Sequence, residues 1–217
     1  MSNLLKVNFS LASPIRLNMK QYAFLTFFVL SILGGIHSLM TYSGKAGAQT
    51  PAEGHWPASS KLSSSKNPHL VMFLHPGCSC SKASLAELGR LLAEAPELSA
   101  QLVFMRTPKL EKLFVENPLI SKAKTLPRTE IVFDEHGEEA KIFGAETSGH
   151  SYFYNEKSEL IFNGGLTMAR GHEGASVGKE SILSYFKGKK STQNTLVFGC
   201  DIFGKLKTLS MVGKYVD

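Results

Sequence analysis

Two cysteines stand one residue apart in the run Phe73-Leu-His-Pro-Gly-Cys78-Ser-Cys80-Ser81. Residues 70–74 before them are continuously apolar, which predicts a buried strand, and His75-Pro76-Gly77 breaks it. Over residues 81–95, Leu85, Leu88, Leu91 and Leu92 recur at helical spacing, with Ser81 as the expected N-cap and Ser84 as a second choice. Open α/β sheets place ligands at the end of such a strand. A helix N-terminus offers unpaired N–H groups and the positive end of a dipole, both of which favour a thiolate. The thiolate is the reactive form of cysteine. The expected chemistry is therefore thiol redox at Cys78 and Cys80, with His75 supplying positive charge or moving a proton. Metal binding and simple burial as small hydrophobes are the competing readings.

The elements that must hold this site follow from the pattern on either side. Residues 102–105 form a second apolar run, 110–124 one or two short helices broken by Pro118, and 129–133 a third strand. A short helix is expected over 137–143, with Ala140 and Phe143 inward. Two strands at 151–154 and 159–162 form a hairpin, and a last helix covers 177–186. The order β-α-β-α-β-α-β-β-α predicts an α/β sheet with parallel βαβ units and a terminal hairpin. One domain over 69–190 accommodates it. The glycine-rich stretch holding Gly164-Gly165 and Arg170-Gly-His-Glu-Gly174 lies between hairpin and last helix. Arg170 and His172 are expected either to line the cysteine pocket or to sit solvated in a turn. The stretch has neither a Walker nor a Rossmann phosphate pattern.

The 217 residues carry a net charge of +6, and its distribution excludes a basic binding face. Residues 1–20 and 188–217 each contribute +3, while 21–187 hold 16 basic and 16 acidic side chains. No nucleic-acid partner is expected. Residues 22–40 contain no Asp, Glu, Lys or Arg and are long enough to cross a bilayer as a helix. An uncleaved anchor is favoured over a signal peptide cut near Ala46-Gly47-Ala48. Lys6, Arg16 and Lys20 should stay in the cytoplasm, making 1–21 a short cytoplasmic terminus and placing the domain in the periplasm or outside the cell. Residues 41–68 read as a linker in which Trp56 packs on the domain or the membrane interface, and 191–217 as a tail.

Taken together, the motifs resemble the thioredoxin-like superfamily, in which an apolar strand ends in an aromatic residue five positions before the first catalytic cysteine, as Phe73 precedes Cys78. They are closest to the membrane-associated RedB type. The resemblance extends through Ala83–Leu88, Phe143-Gly-Ala145, Thr147-Ser-Gly149, Asn163-Gly-Gly-Leu-Thr167, Arg170–Gly174 and Phe198-Gly-Cys200. It implies a thioredoxin-like central sheet flanked by helices. Two departures matter: the second cysteine of the usual Cys-x-x-Cys falls on Ser81, and the position of the usual cis-proline falls near Gly149, beside His150. Gly149 and His150 are thereby expected to border the site.

The function expected is thiol–disulfide exchange outside the cytoplasm, with no cofactor and with a thiol or disulfide protein or a small thiol as partner. Cys78 attacks, and Cys80, Cys200 or an external thiol resolves the mixed disulfide. A Cys78–Cys80 bridge would close a very small ring. The second reading is a copper- or metal-handling protein using Cys78, Cys80 and a histidine such as His75, His150 or His172. A peroxidase is disfavoured, because His75 stands where peroxidases of this superfamily have Thr or Ser.

Overall fold

A computed structural model describes residues 18–189 and 192–204. The expectations for 1–17, and for the tail at 190–191 and 205–217, lie outside the described residues. The chain divides into two units between Met40 and Thr41. The first holds all but the last three residues of helix α1, Met19–Ser43, which is three residues longer at each end than the apolar run. It buries no residue and is long and apolar enough to cross a membrane. Ser31 turns its hydroxyl back onto the Phe27 carbonyl at 2.9 Å, satisfying a polar group without water.

The second unit is built on five strands: β1 His69–Leu74, β2 Ser99–Arg106, β3 Thr129–Glu135, β4 His150–Tyr154 and β5 Leu160–Gly165. Their order is β3-β2-β1-β4-β5. β1 and β2 are parallel, as are β2 and β3, while β4 runs antiparallel to both β1 and β5. This is the expected α/β sheet of the thioredoxin-like kind: parallel units on one side and a hairpin on the other. Helices α2 Ser81–Glu94, α3 Pro118–Lys124, α4 Glu138–Phe143 and α5 Val177–Phe186 flank it, with a 3-10 helix at Pro108–Phe114.

Alternation along β1 divides the core in two. Leu70, Met72 and Leu74 face one layer, meeting Leu85, Leu88, Leu91 and Leu92 of α2 and Ile182 of α5. Val71 and Phe73 face the other, with Tyr152, Tyr154 and Phe143 of α4. Each buried leucine contributes stability that truncation to alanine would reduce by about 2–5 kcal/mol. β1, buried at every position, is thus clamped from both faces, and so is the point at which it ends.

The segment read as a linker packs against this unit. Trp56 meets Phe143 at 5.4 Å and Tyr154 at 5.1 Å edge-on, Leu62 is buried, and the Lys61 N–H donates to Glu139. The described part of the tail also docks: residue 194 bridges Asn163 of β5, and Asp201 bridges Thr147. Serine, glycine, alanine and proline content made the first stretch read as a linker and weak patterning made the second read as a tail, yet large apolar side chains in them find cover: Trp56 and Leu62 in the first, Val197 and Ile202 in the second.

Candidate active site at the end of β1

β1 stops at Leu74, and a turn closes with the Cys78 N–H on the His75 carbonyl at 3.0 Å. Ser81, Lys82 and Ala83 then donate to the carbonyls three residues back. These bonds satisfy the early N–H groups, so α2 starts without a side-chain cap. The capping position belongs to Cys80, at φ −64° and ψ −27°, rather than to Ser81 or Ser84. Ser81 is instead fully buried and turns its hydroxyl inward, 2.7 Å from the Ser148 hydroxyl. Ser148 also accepts from the His75 N–H at 2.7 Å. If Ser148 donates to Ser81, the Ser81 hydrogen is left to point at Cys78.

The third sulfur comes from far along the chain. The Ser148 N–H donates to the Cys200 carbonyl at 2.8 Å, and the Ile202 N–H donates to the Glu146 carbonyl at 2.9 Å. Residues 146–148 and 200–202 are thus zipped antiparallel. Gly199 makes the close approach feasible: a Cβ there would stand 1.9 Å from the Ser148 carbonyl oxygen. Cys78, Cys80 and Cys200 end with their sulfurs within 4.8 Å of one another. All three are unbridged; Cys78 is buried and the other two are half-buried.

The surroundings favour charge on one sulfur. Hydrogen bonds from the Cys200 thiol and then the Ser81 hydroxyl, helped by the N–H groups of both residues, hold the Cys78 thiol well below its ordinary range despite burial. Hydrogen bonds to the charged form have this effect. The Cys200 thiol is pushed up, first because it donates to Cys78, then by burial. The Cys80 thiol rises through burial and the neighbouring Cys78 charge. Arg170 acts in the opposite sense on Cys80 and Cys200, so its guanidinium belongs to the site's electrostatics.

The remaining expected residues fall into place differently. Burial lowers the His75 imidazole, and its Nδ1 accepts from the Gly77 N–H at 3.1 Å. Both disfavour the protonated ring, against the expectation that His75 supplies positive charge. Gly149 occupies the position named for it, with φ 94° and its N–H on the Phe73 carbonyl at 2.8 Å. The His150 ring is fully buried between Asn163 Oδ1, at 2.5 Å, and the Tyr152 hydroxyl, at 3.3 Å. His172 is exposed. No imidazole joins the sulfur cluster among the described residues. Two residues were given no role by the sequence. Ser148 lies inside the quoted Thr147-Ser-Gly149 motif, which was its only signal. Glu87, fully buried on α2, accepts from the Gly174 N–H at 2.6 Å and pairs with Arg90 and Lys179. It ties the loop that bears Arg170 to the helix that begins beside Cys78.

A cavity of about 840 Å³ opens beside the cluster, lined by His75, Met105, His136, Cys200 and Phe203 among others. Of the three cysteines, it is Cys200 that lines this cavity.

No family model and no curated protein matches the chain. Similar folds are found among solved structures. An uncharacterized conserved protein from Geobacillus kaustophilus is 20% identical, with a TM-score of 0.52 over 76% of this chain and 94% of that one. A hypothetical protein from Sinorhizobium meliloti is 18% identical, with a TM-score of 0.51 over 73% and 94%. A secreted disulfide oxidoreductase from Mycobacterium tuberculosis aligns over 57% of this chain and 82% of its own, with 14% identity and a TM-score of 0.40. At these identities the likeness is one of fold.

Proposed function

We propose that this chain is a membrane-tethered thiol–disulfide oxidoreductase acting outside the cytoplasm, with Cys78 as nucleophile and Cys200 as the resolving thiol. The observation that carries this reading is the convergence of the Cys78 and Cys200 sulfurs where β1 gives way to α2. The Cys78 thiolate attacks one sulfur of a substrate disulfide. A Cys78–substrate bond forms, and the other substrate sulfur leaves as a thiolate that takes up a proton. Cys200 then loses its proton and attacks the Cys78 sulfur. A Cys78–Cys200 disulfide results, and the substrate departs as a dithiol. Run backwards, the same steps oxidise a dithiol. Holding Cys78 as a thiolate stabilises the reduced protein, which makes its disulfide a stronger oxidant. Ser81, standing where the second cysteine of a Cys-x-x-Cys would be, keeps a hydrogen-bond donor on Cys78 instead of a second sulfur.

The partner is a disulfide or dithiol, on a protein or a small molecule, that enters from the Cys200 side. The apolar run 22–40 within α1 and the basic residues Lys6, Arg16 and Lys20 before that run support an anchored, extracytoplasmic domain of the RedB type. The test is disulfide exchange with oxidised glutathione or insulin, using the full-length chain in detergent. C78S should be inactive, C200S should accumulate a mixed disulfide on Cys78, and C80S should still turn over. Equal activity in C78S and the wild type would end the reading.

A further inference from the structure

We infer that the reduced protein binds one soft monovalent metal ion, Cu(I), in a three-sulfur site made by Cys78, Cys80 and Cys200. The three sulfurs lie within 4.8 Å of one another. An ion at the centre of a planar triangle, with metal–sulfur bonds of about 2.3 Å, requires sulfurs about 4.0 Å apart. The cluster thus needs only a small contraction, and two of its members lie on a turn and a docked tail segment rather than inside the sheet.

The donor set selects the ion. Sulfur ligands favour soft metals such as Cu(I) over hard ones. Zn(II) takes four ligands in closed protein sites, whereas the group that converges among the described residues has three members and contains neither imidazole nor carboxylate. Three thiolates around one Cu(I) leave excess negative charge. The first turn of α2 rises directly from Cys80, and the half-buried Arg170 stands on the loop that Glu87 ties to that helix. Both offset that charge. The half-exposure of Cys80 and Cys200 leaves an entry path to the buried Cys78. This set differs from the cysteine–histidine set expected from sequence: the tail sulfur takes the histidine's place.

Binding uses the fully reduced form, with all three thiols free of disulfides, and involves no change of oxidation state. Thiols that are still protonated release their protons as the metal–sulfur bonds form. Metal binding and disulfide formation therefore compete for the same atoms, and the inference stands whether or not the protein exchanges disulfides.

The experiment is an anaerobic titration of the reduced full-length chain with Cu(I) held by the chromogenic chelator bicinchoninate. The protein should withdraw one equivalent, and copper-edge X-ray absorption should show three sulfur neighbours at about 2.3 Å. C80S and C200S, checked for folding by circular dichroism, should each lose at least about tenfold in affinity, since each removes one ligand. Copper left on the chelator, affinity unchanged in C200S, or Zn(II) displacing the bound Cu(I) would overturn the site. A chain that exchanges disulfides yet takes no copper loses this inference and keeps the redox reading. A chain that takes copper through three sulfurs but exchanges nothing does the reverse.

Discussion

The Cys78 sulfur and the His150 ring are both buried polar groups, on or just beyond neighbouring strands, and they meet burial in opposite ways. Phe73, near the end of β1, is the register partner of His150. His150 has no exposure, and its ring is held by Asn163 and Tyr152, the latter stacked at 4.5 Å between centroids. Burial pushes its imidazole down to about 4, so it stays neutral. Cys78 is nearly as buried, yet the hydrogen bonds from Cys200 and Ser81 overcome that burial and favour the charged form. Burial penalises charge in both places. The number and placement of donors decide whether the penalty prevails. One group is a structural tie, and the other is the sulfur proposed as the nucleophile.

Four measurements would sharpen or break this contrast. The largest effect belongs to Cys78→Ser, which should reduce disulfide exchange to the buffer's background rate, whereas His150→Gln should leave exchange intact. If both variants lost activity equally, the two groups would not be separable.

The second measurement is the dependence of folding stability on pH. Because the folded pKa of His150 lies below its unfolded value, the unfolded chain binds the extra proton first. Its contribution is present above about pH 6.5 and is lost as pH falls to about 4, a fall of about 3 kcal/mol. Urea titrations should show this slope in the wild type and a flatter one in His150→Gln. Cys78 acts over a window that starts higher and overlaps this one. Its lowered thiol contributes fully above the ordinary thiol value of about 8.5 and loses that contribution as pH falls towards its folded value. Cys78→Ser should flatten the curve from about pH 8.5 downward, including the part above about pH 6.5 that His150→Gln leaves unchanged.

Third, Ser81→Ala removes a hydrogen bond to a charged group, worth about 1.5–3 kcal/mol, and should raise the Cys78 thiol by about 1–2 units. The pH profile of iodoacetamide alkylation reads this directly, and an unmoved profile would remove Ser81 from the site. Smallest of all, Arg170→Gln should raise the Cys80 and Cys200 thiols slightly, since solvent screens a partly exposed charge. Alkylation at successive pH values, read by mass spectrometry for each cysteine, would detect it.

The sheet was legible because period-2 and period-3.6 patterns are local. The last helix falls on residues 177–186 as expected, and β1 differs from its apolar run only by His69. β2 begins at Ser99, three residues before its apolar run, because Ser99, Ala100 and Gln101 are paired by register with β1 rather than by their own character. Cys78 was legible for the same local reason, as the thiol between a strand and a helix. The position of Cys200 was open in the sequence because it depends on main-chain pairing between 146–148 and 200–202, which no side-chain period encodes. Ser81 was misassigned as a cap because a serine before a helix normally turns back on the backbone, whereas this one is drawn inward by Ser148. His150 was placed beside the site by adjacency along the chain, but its ring is committed to Asn163 and Tyr152.

The tail segment zipped to residues 146–148 gives oxidation a mechanical consequence. A bond between Cys78 and Cys200 would turn the chain from the mouth of the central strand to its trailing end into one covalent hoop of roughly 120 residues, and loops of that size restrict the unfolded chain by about 5 kcal/mol. The oxidised molecule would then be the harder one to melt or to digest from its end, so that electron count would be written into the toughness of the whole body as well as into one pair of atoms.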